Sequence, residues 1–259
     1  MMILLDIFVV LFGLAFGSFL NVCISRIPKE ESVVRPPSHC MSCGKTIFWY
    51  DNIPVVSYLL LKGKCRQCGK AIPLRYPAVE VFSGLIWFFL WKLFGLSPHF
   101  AGGVVLYSIL LAVSMTDWET GYIPDLLTLP GMVFGLILSV IAPAMREQSV
   151  WYHGLLDSFL GLLAGGGILL ATGLLGSLIF RKDAMGGGDI KLLAMIGAFV
   201  GWKQVIFVYL FSPILAVPFA LYAKWTSRAE TIPYGPYLAL TGAVFFIYGN
   251  QIMQMLFPI

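Results

Sequence analysis

Residues Ile3–Ile24 read ILLDIFVVLFGLAFGSFLNVCI, an apolar run whose polar interruptions are Asp6, Ser18 and Asn21. As a helix rising about 1.5 Å per residue it is long enough to cross about 30 Å of hydrocarbon. Its first basic residue, Arg26, follows the run instead of preceding it. A cleaved signal peptide carries its charge first, so this run is expected to remain as the first membrane span. Working outward, seven further runs have the same character, at about 77–95, 100–117, 125–142, 154–179, 189–202, 204–223 and 233–256, the one at 189–202 being short. Across 259 residues, 59% are hydrophobic and 12% charged, about half the charge of a typical soluble domain. The expected fold class is an all-α polytopic membrane protein of about eight transmembrane helices. It divides into a first membrane helix (1–24), a cytoplasmic segment (25–76) and a helix bundle (77–259).

The net charge of +4 says little as a total, whereas its placement sets orientation. Ser25–Tyr76 holds nine of the 17 Lys and Arg residues, and the positive-inside rule places such a segment in the cytoplasm. Counting forward, Asp117–Pro124, Arg181-Lys182-Asp183 and Lys224–Ile232 also fall inside. Ser97-Pro98-His99, Pro143–Tyr152 and the link near Lys203 fall outside, as do both termini. The lipid bilayer is the first partner implied; no nucleic-acid partner is expected, and the oligomeric state is left open. Gly13 and Gly17, and the glycines between Gly161 and Gly176, have the spacing and density of helix-packing faces.

Inside the cytoplasmic segment, Cys40-Met-Ser-Cys43 and Cys65-Arg-Gln-Cys68 are separated by 21 residues, and each pair leads into a Gly-Lys step. Two C-x-x-C knuckles describe a closed tetrahedral site, and four thiolates suit structural Zn(II). Iron is the competing metal, since S4 geometry accepts it too. The reducing cytoplasm argues against two disulfides, and a segment this small builds little core without a staple. Cys23 lacks a partner spacing and reads as a packed thiol. His39 is a further candidate ligand beside Cys40.

The stretch Met185-Gly-Gly-Gly-Asp189-Ile-Lys191 places an acid behind three glycines at the mouth of an apolar run. A carboxylate inside a bilayer costs up to roughly 2.5–3.5 kcal/mol on insertion scales, so an acid set against an apolar run marks function. The glycines describe a bent, accessible helix entry that permits φ > 0 and close approach, against the simpler reading of a loop with a capping Asp. Asp117 closes the 100–117 run at the same predicted face. Glu119 reads as a solvated loop charge, and Asp125 as a first-turn acid that meets a helix dipole. Lys191 reads as an interfacial charge.

Taken together these stretches closely resemble the bacterial type IV prepilin peptidases, membrane aspartyl proteases with a G-x-G-D motif. The resemblance is carried by Gly17-Ser-Phe-Leu-Asn21-Val, the paired C-x-x-C with Ile53-Pro-Val-Val-Ser57-Tyr between them, Arg75-Tyr-Pro and Glu80. It continues through Asp117 with Ile123-Pro-Asp125, Gly186-Gly-Gly-Asp189-Ile-Lys191-Leu and Pro233-Tyr-Gly-Pro-Tyr. It implies that Asp117 and Asp189 are the catalytic pair and that the enzyme sits in the bacterial inner membrane with its active site at the cytoplasmic face. The substrates implied are prepilins, or the pseudopilins of type II secretion, whose basic leader is removed. It also implies N-methylation of the newly exposed residue with S-adenosylmethionine as methyl donor, whose binding residues the sequence does not reveal; no G-x-G-x-x-G turn is present. Two other classes are weighed beside it. A proton or ion transporter would use Asp117, Asp125 and Asp189 as a relay, but all three acids fall at one face. A zinc-bearing membrane scaffold would account for the cysteines and leave the glycines before Asp189 unexplained.

Overall fold

Each of the eight apolar runs becomes one helix, the form in which a segment bonds its own N–H and C=O groups. The computed structural model describes residues 2–146, 148–181, 185–227 and 232–257. The charges read at Lys182, Asp183 and Arg228 lie outside the described residues. In chain order the α-helices are α1 (Met2–Arg26), α2 (Val56–Leu60), α3 (Arg75–Phe94), α4 (Pro98–Thr120) and α5 (Asp125–Ile141). They continue with α6 (Trp151–Phe180), α7 (Gly187–Val200), α8 (Trp202–Ser227) and α9 (Gly235–Leu256). No strand occurs among the described residues. Five of these helices are long and apolar enough to cross a membrane: α1, α3, α4, α6 and α8. The others fall short for separate reasons. At 17 residues α5 is a shorter apolar helix, α7 has 14 residues, and α9 carries Asn250, Gln251 and Gln254.

The chain forms two compact units, Met1–Phe100 and Ala101–Ile259. In the first, α1 and α3 pack through glycine. A Cβ on Gly13 would lie 2.8 Å from the Gly84 Cα, and one on Gly17 would lie 2.7 Å from the Glu80 Cα. This is the close helix approach that small residues four apart allow, as the sequence implies. The polar segment is tied to these helices by hydrogen bonds. Arg26, itself buried, donates to the carbonyls of Ser32 (3.0 Å) and Pro37 (3.3 Å), and Arg75 donates to Ser25 Oγ (2.7 Å). Ser57 Oγ donates to the Tyr50 carbonyl (2.9 Å) and accepts from the Ile53 N–H (3.0 Å), closing the loop before α2.

The second unit is built around α7. Every residue from Leu192 to Val200 is buried, and a helix apolar on all sides belongs at the centre of a packed unit. Its neighbours approach through small residues: Gly161 and Gly165 of α6 rest on the Gly197 and Leu193 carbonyls, and Gly135 of α5 rests on Ala198. The packing face read in α6 is therefore present at Gly161 and Gly165, whereas a Cβ on Gly167 would meet nothing within 4 Å. The 30-residue α6 is longer than the face that α7 offers it. Glu119, expected in a loop, lies within α4, which runs to Thr120 and ends at Gly121 with φ +65°.

Candidate active site

Asp117 and Asp189 come from helix ends in the second unit that meet at Ile123: Gly235, which donates to the Asp117 carboxyl, and Gly188, next to Asp189, both lie against that side chain. Asp117 is on the last turn of α4 and buried, at 5% exposure. Its Oδ2 accepts the backbone N–H of Gly235 at 2.8 Å, a contact between residues 118 apart in sequence. A Cβ on Gly235 would lie 2.8 Å from that same oxygen and 3.1 Å from Ile123 Cδ1. Only a residue without a side chain lets its amide approach this carboxylate so closely.

Asp189 lies in the first turn of α7, which starts at Gly187 after the extended Gly186. Its carboxyl bonds to the Gly186 backbone, as an acid at the third helical position does when it reaches back to a cap. The other oxygen, Oδ1, is buried without a hydrogen-bond partner among the described residues. A buried carboxyl oxygen left so is costly.

Of the two properties the sequence suggests for the glycines before Asp189, close approach is present and left-handed backbone is not. None of them has φ in the left-handed region; Gly186 is extended at φ −71°, ψ 138°. What excludes a side chain is proximity. A Cβ on Gly186 would lie 3.0 Å from Asp189 Oδ2, and one on Gly188 would lie 2.7 Å from Ile123 Cβ. At Gly187 nothing lies within 4 Å. The pattern Gly-x-Gly-Asp is thus a steric one, with the open position in the middle.

Asp125 and Lys191 are bound to each other, Nζ donating to both carboxylate oxygens at 2.6 and 2.7 Å. Their side chains are 46% and 41% exposed. Asp125 does open a helix, as expected, but the lysine read as an interfacial charge is its partner. Sixty-six residues separate the two, so no local pattern announces the pair. The role of Gly235 is missed for the same reason. Its trace in the sequence is the Pro233-Tyr-Gly-Pro-Tyr stretch, a proline-flanked glycine at the mouth of a helix. Beside it, the Tyr234 hydroxyl and Ser212 Oγ are 2.6 Å apart, and the Asp189 charge acts on Tyr234.

In the first unit the four cysteines come together. Cys40, Cys43, Cys65 and Cys68 offer sulfurs that all lie within 4.8 Å of one another, with Cys40 Sγ and Cys68 Sγ at 3.8 Å. Four sulfurs about 2.3 Å from a tetrahedral zinc are about 3.8 Å apart, so the residues fit that metal. The two knuckles are built alike. Cys40 N–H donates to the Lys45 carbonyl and Cys65 N–H to the Lys70 carbonyl, both at 2.9 Å, and Gly44 and Gly69 turn the chain at φ +69° and +70°. The Gly-Lys steps noted in the sequence are these turns. Backbone N–H groups of Ser42 and Cys43 bring the Cys40 thiol down to about 6, toward the thiolate a metal needs. His39 is not part of the cluster; its Nδ1 lies 3.2 Å from the Pro37 carbonyl. Cys23 is buried on α1, and burial pushes packed thiols of this kind away from reactivity.

The same unit contains a cavity of about 410 Å³. Phe48, Tyr58 and Tyr76 contribute aromatic walls, while Asn21 and Glu80 line it from α1 and α3. Both of these polar residues are buried, at 3% and 8% exposure.

Residues 104–221, which carry both Asp117 and Asp189, match the type IV leader peptidase family. Residues 11–94, which carry the four cysteines, match the bacterial peptidase A24 N-terminal domain. The chain belongs to the type IV leader peptidase family. It is 34% identical to a prepilin leader peptidase/N-methyltransferase of Xanthomonas campestris, over 93% of this chain and 91% of the relative. A protein of the same description from Pseudomonas aeruginosa is also 34% identical, over 95% of this chain and 91% of its own length. One from Myxococcus xanthus is 36% identical over 81% of this chain, and that match spans 60% of the longer relative. No solved structure matches. The two leader peptidase matches fall one in each compact unit, and Gly235, the donor to Asp117, lies beyond both matched stretches.

Proposed function

We propose that this protein removes the basic leader of type IV prepilins or of type II secretion pseudopilins by an aspartyl mechanism, and then N-methylates the new terminal residue. The observation that carries the first reaction is the juxtaposition of Asp117 and Asp189, with Gly235 N–H on one carboxyl and an unpartnered buried oxygen on the other. Two carboxyls that meet in one site do not both ionise readily and share a proton. The charged member takes a proton from water as the water oxygen attacks the scissile carbonyl carbon. The protonated member donates to the carbonyl oxygen as its double bond opens. Collapse of the tetrahedral species breaks the C–N bond, and the proton taken from water goes to the leaving nitrogen. The acids titrate as a unit, so neither is given a fixed role.

The functional division that follows is a first membrane helix at 1–24, a zinc-held segment at 25–76 and a bundle at 77–259 that carries the acid pair. Eight membrane spans with the 25–76 segment inside would put the pair at the cytoplasmic face of the inner membrane, where a leader rich in Lys and Arg remains. Cys40, Cys43, Cys65 and Cys68 would hold Zn(II), which supplies a structural staple and, with four protein ligands, has no open position for chemistry. S-adenosylmethionine, when bound, supplies an electrophilic methyl group on sulfur. The cavity in the first unit has a volume suited to a ligand of that size, and Phe48 and Tyr58 offer faces for a purine.

The test is cleavage of a membrane-inserted prepilin by purified enzyme. Asp117→Asn and Asp189→Asn should each lower the rate roughly a thousandfold or more, and the double variant should be little worse, since groups acting as one unit give non-additive losses. Methyl transfer to an already cleaved pilin should survive both changes. Normal cleavage by either single variant would refute the aspartyl pair, and Asp125→Asn failing in place of Asp117→Asn would name the wrong partner.

A further inference from the structure

Asn21 on α1 and Glu80 on α3 face the same end of the first unit's cavity. Gly17, one turn before Asn21, packs on the Glu80 backbone, and Asn21 Nδ2 donates to the carbonyl of Tyr76, one turn before Glu80, at 2.9 Å. The amide nitrogen is therefore used, while Asn21 Oδ1 is buried without a donor among the described residues. Glu80 is held from α1 and the polar segment: its Oε2 accepts the Val55 N–H at 2.8 Å, and the Ser18 side chain also bonds to it. Val55 reaches this position with φ +61° and ψ −47°, a conformation a β-branched residue adopts only under constraint. These two acceptor groups line the cavity from α1 and α3, on a wall that also carries Arg26, Lys45, Arg66 and Lys70 with Glu31 and Asp51. What fits them is a compact cation with several N–H donors. A sulfonium has no N–H to give Asn21, and a guanidinium would need more acceptors.

We propose that Asn21 and Glu80 form a subsite for an α-ammonium group within the methyl-transfer cavity. The ammonium has two sources with the same chemistry, the aminoacyl end of the methyl donor and the free N-terminus of the cleaved pilin. This rests on the methyl-transfer reading above and adds the residues that hold a reactant.

Equilibrium binding to the full-length, zinc-loaded chain in nanodiscs separates the cases. The probes are S-adenosylhomocysteine, 5′-methylthioadenosine, which lacks the amino-acid end, and a short peptide with the cleaved pilin's free N-terminus. The variants are Glu80→Gln and Asn21→Leu; zinc content and melting temperature report folding. A charge-assisted hydrogen bond lost here weakens binding about 10- to 100-fold. If the ammonium is the donor's, Glu80→Gln and Asn21→Leu lose S-adenosylhomocysteine by that factor and keep methylthioadenosine. If it is the acceptor's, both nucleosides are kept and the free-amine peptide is lost. Methylthioadenosine weakened as much as S-adenosylhomocysteine, or folded Glu80→Gln binding every probe like the parent, overturns the subsite. A parent chain that binds no adenosyl probe and transfers no methyl group overturns the methyl-transfer reading itself.

Discussion

Gly187 and Gly188 are neighbours with opposite surroundings, and the difference decides what each tolerates. Nothing lies within 4 Å of a Cβ on Gly187, while one on Gly188 would lie 2.7 Å from Ile123 Cβ. Gly187→Ala should therefore keep leader cleavage, and Gly188→Ala should lose most of it by displacing Ile123 and with it the α7 entry. Equal loss in both variants would show that the glycines serve flexibility and not contact. Gly235→Ala is the companion case. Its methyl would press on Asp117 Oδ2, and loss of a charge-assisted hydrogen bond should lower cleavage about 10- to 100-fold, with melting temperature nearly unchanged. Initial rates of prepilin cleavage, compared at equal folded fraction, decide both.

At the scale of elements, the two knuckles have no apolar core of their own. Their backbone turns converge the sulfurs, and a bound metal would supply what burial does not. Structural zinc sites of this kind carry apparent binding free energies of about 10–16 kcal/mol, more than a small segment can gain by packing. One zinc per chain is expected by elemental analysis. Chelation or Cys40→Ser should expose Ser25–Tyr76 to protease, and Cys23→Ser should leave the metal content alone. Zinc retention should fall with falling pH, since protons compete for the thiolates. Well under one zinc, or iron in its place, would contradict this. The Lys191–Asp125 pair joins the openings of α5 and α7, but with both side chains two-fifths exposed or more it is screened. A double-mutant cycle should give a coupling of only about 0.2–1 kcal/mol, and Asp125→Asn should still cleave.

For the whole molecule the decisive property is orientation. If Ser25–Tyr76 is cytoplasmic, a reagent confined to the outside should fail to label a cysteine placed at Lys62 and should reach one placed at Gln148. The reverse pattern would move Asp117 and Asp189 to the other face and remove the agreement with a basic leader held inside.

Composition and run length were enough, without coordinates, to specify helices: all eight apolar runs are helical in the structure, with ends within a few residues of those read from hydropathy. A helix bonds its backbone groups within the segment itself, so over an apolar run of this length the element is decided locally. The sulfur cluster was equally legible, because C-x-x-C-Gly-Lys encodes its own turn and the metal geometry then requires two such turns. Motif resemblance singled out Asp117 and Asp189. Their setting belongs to the tertiary structure alone. Gly235 N–H on Asp117, Ile123 against Gly188, Lys191 on Asp125, and Asn21 on the Tyr76 carbonyl are contacts between residues far apart in sequence. Hydropathy reports a residue's average solvent, but which backbone amide reaches which carboxyl depends on helix packing distance, and that distance is set where glycines let two chains touch.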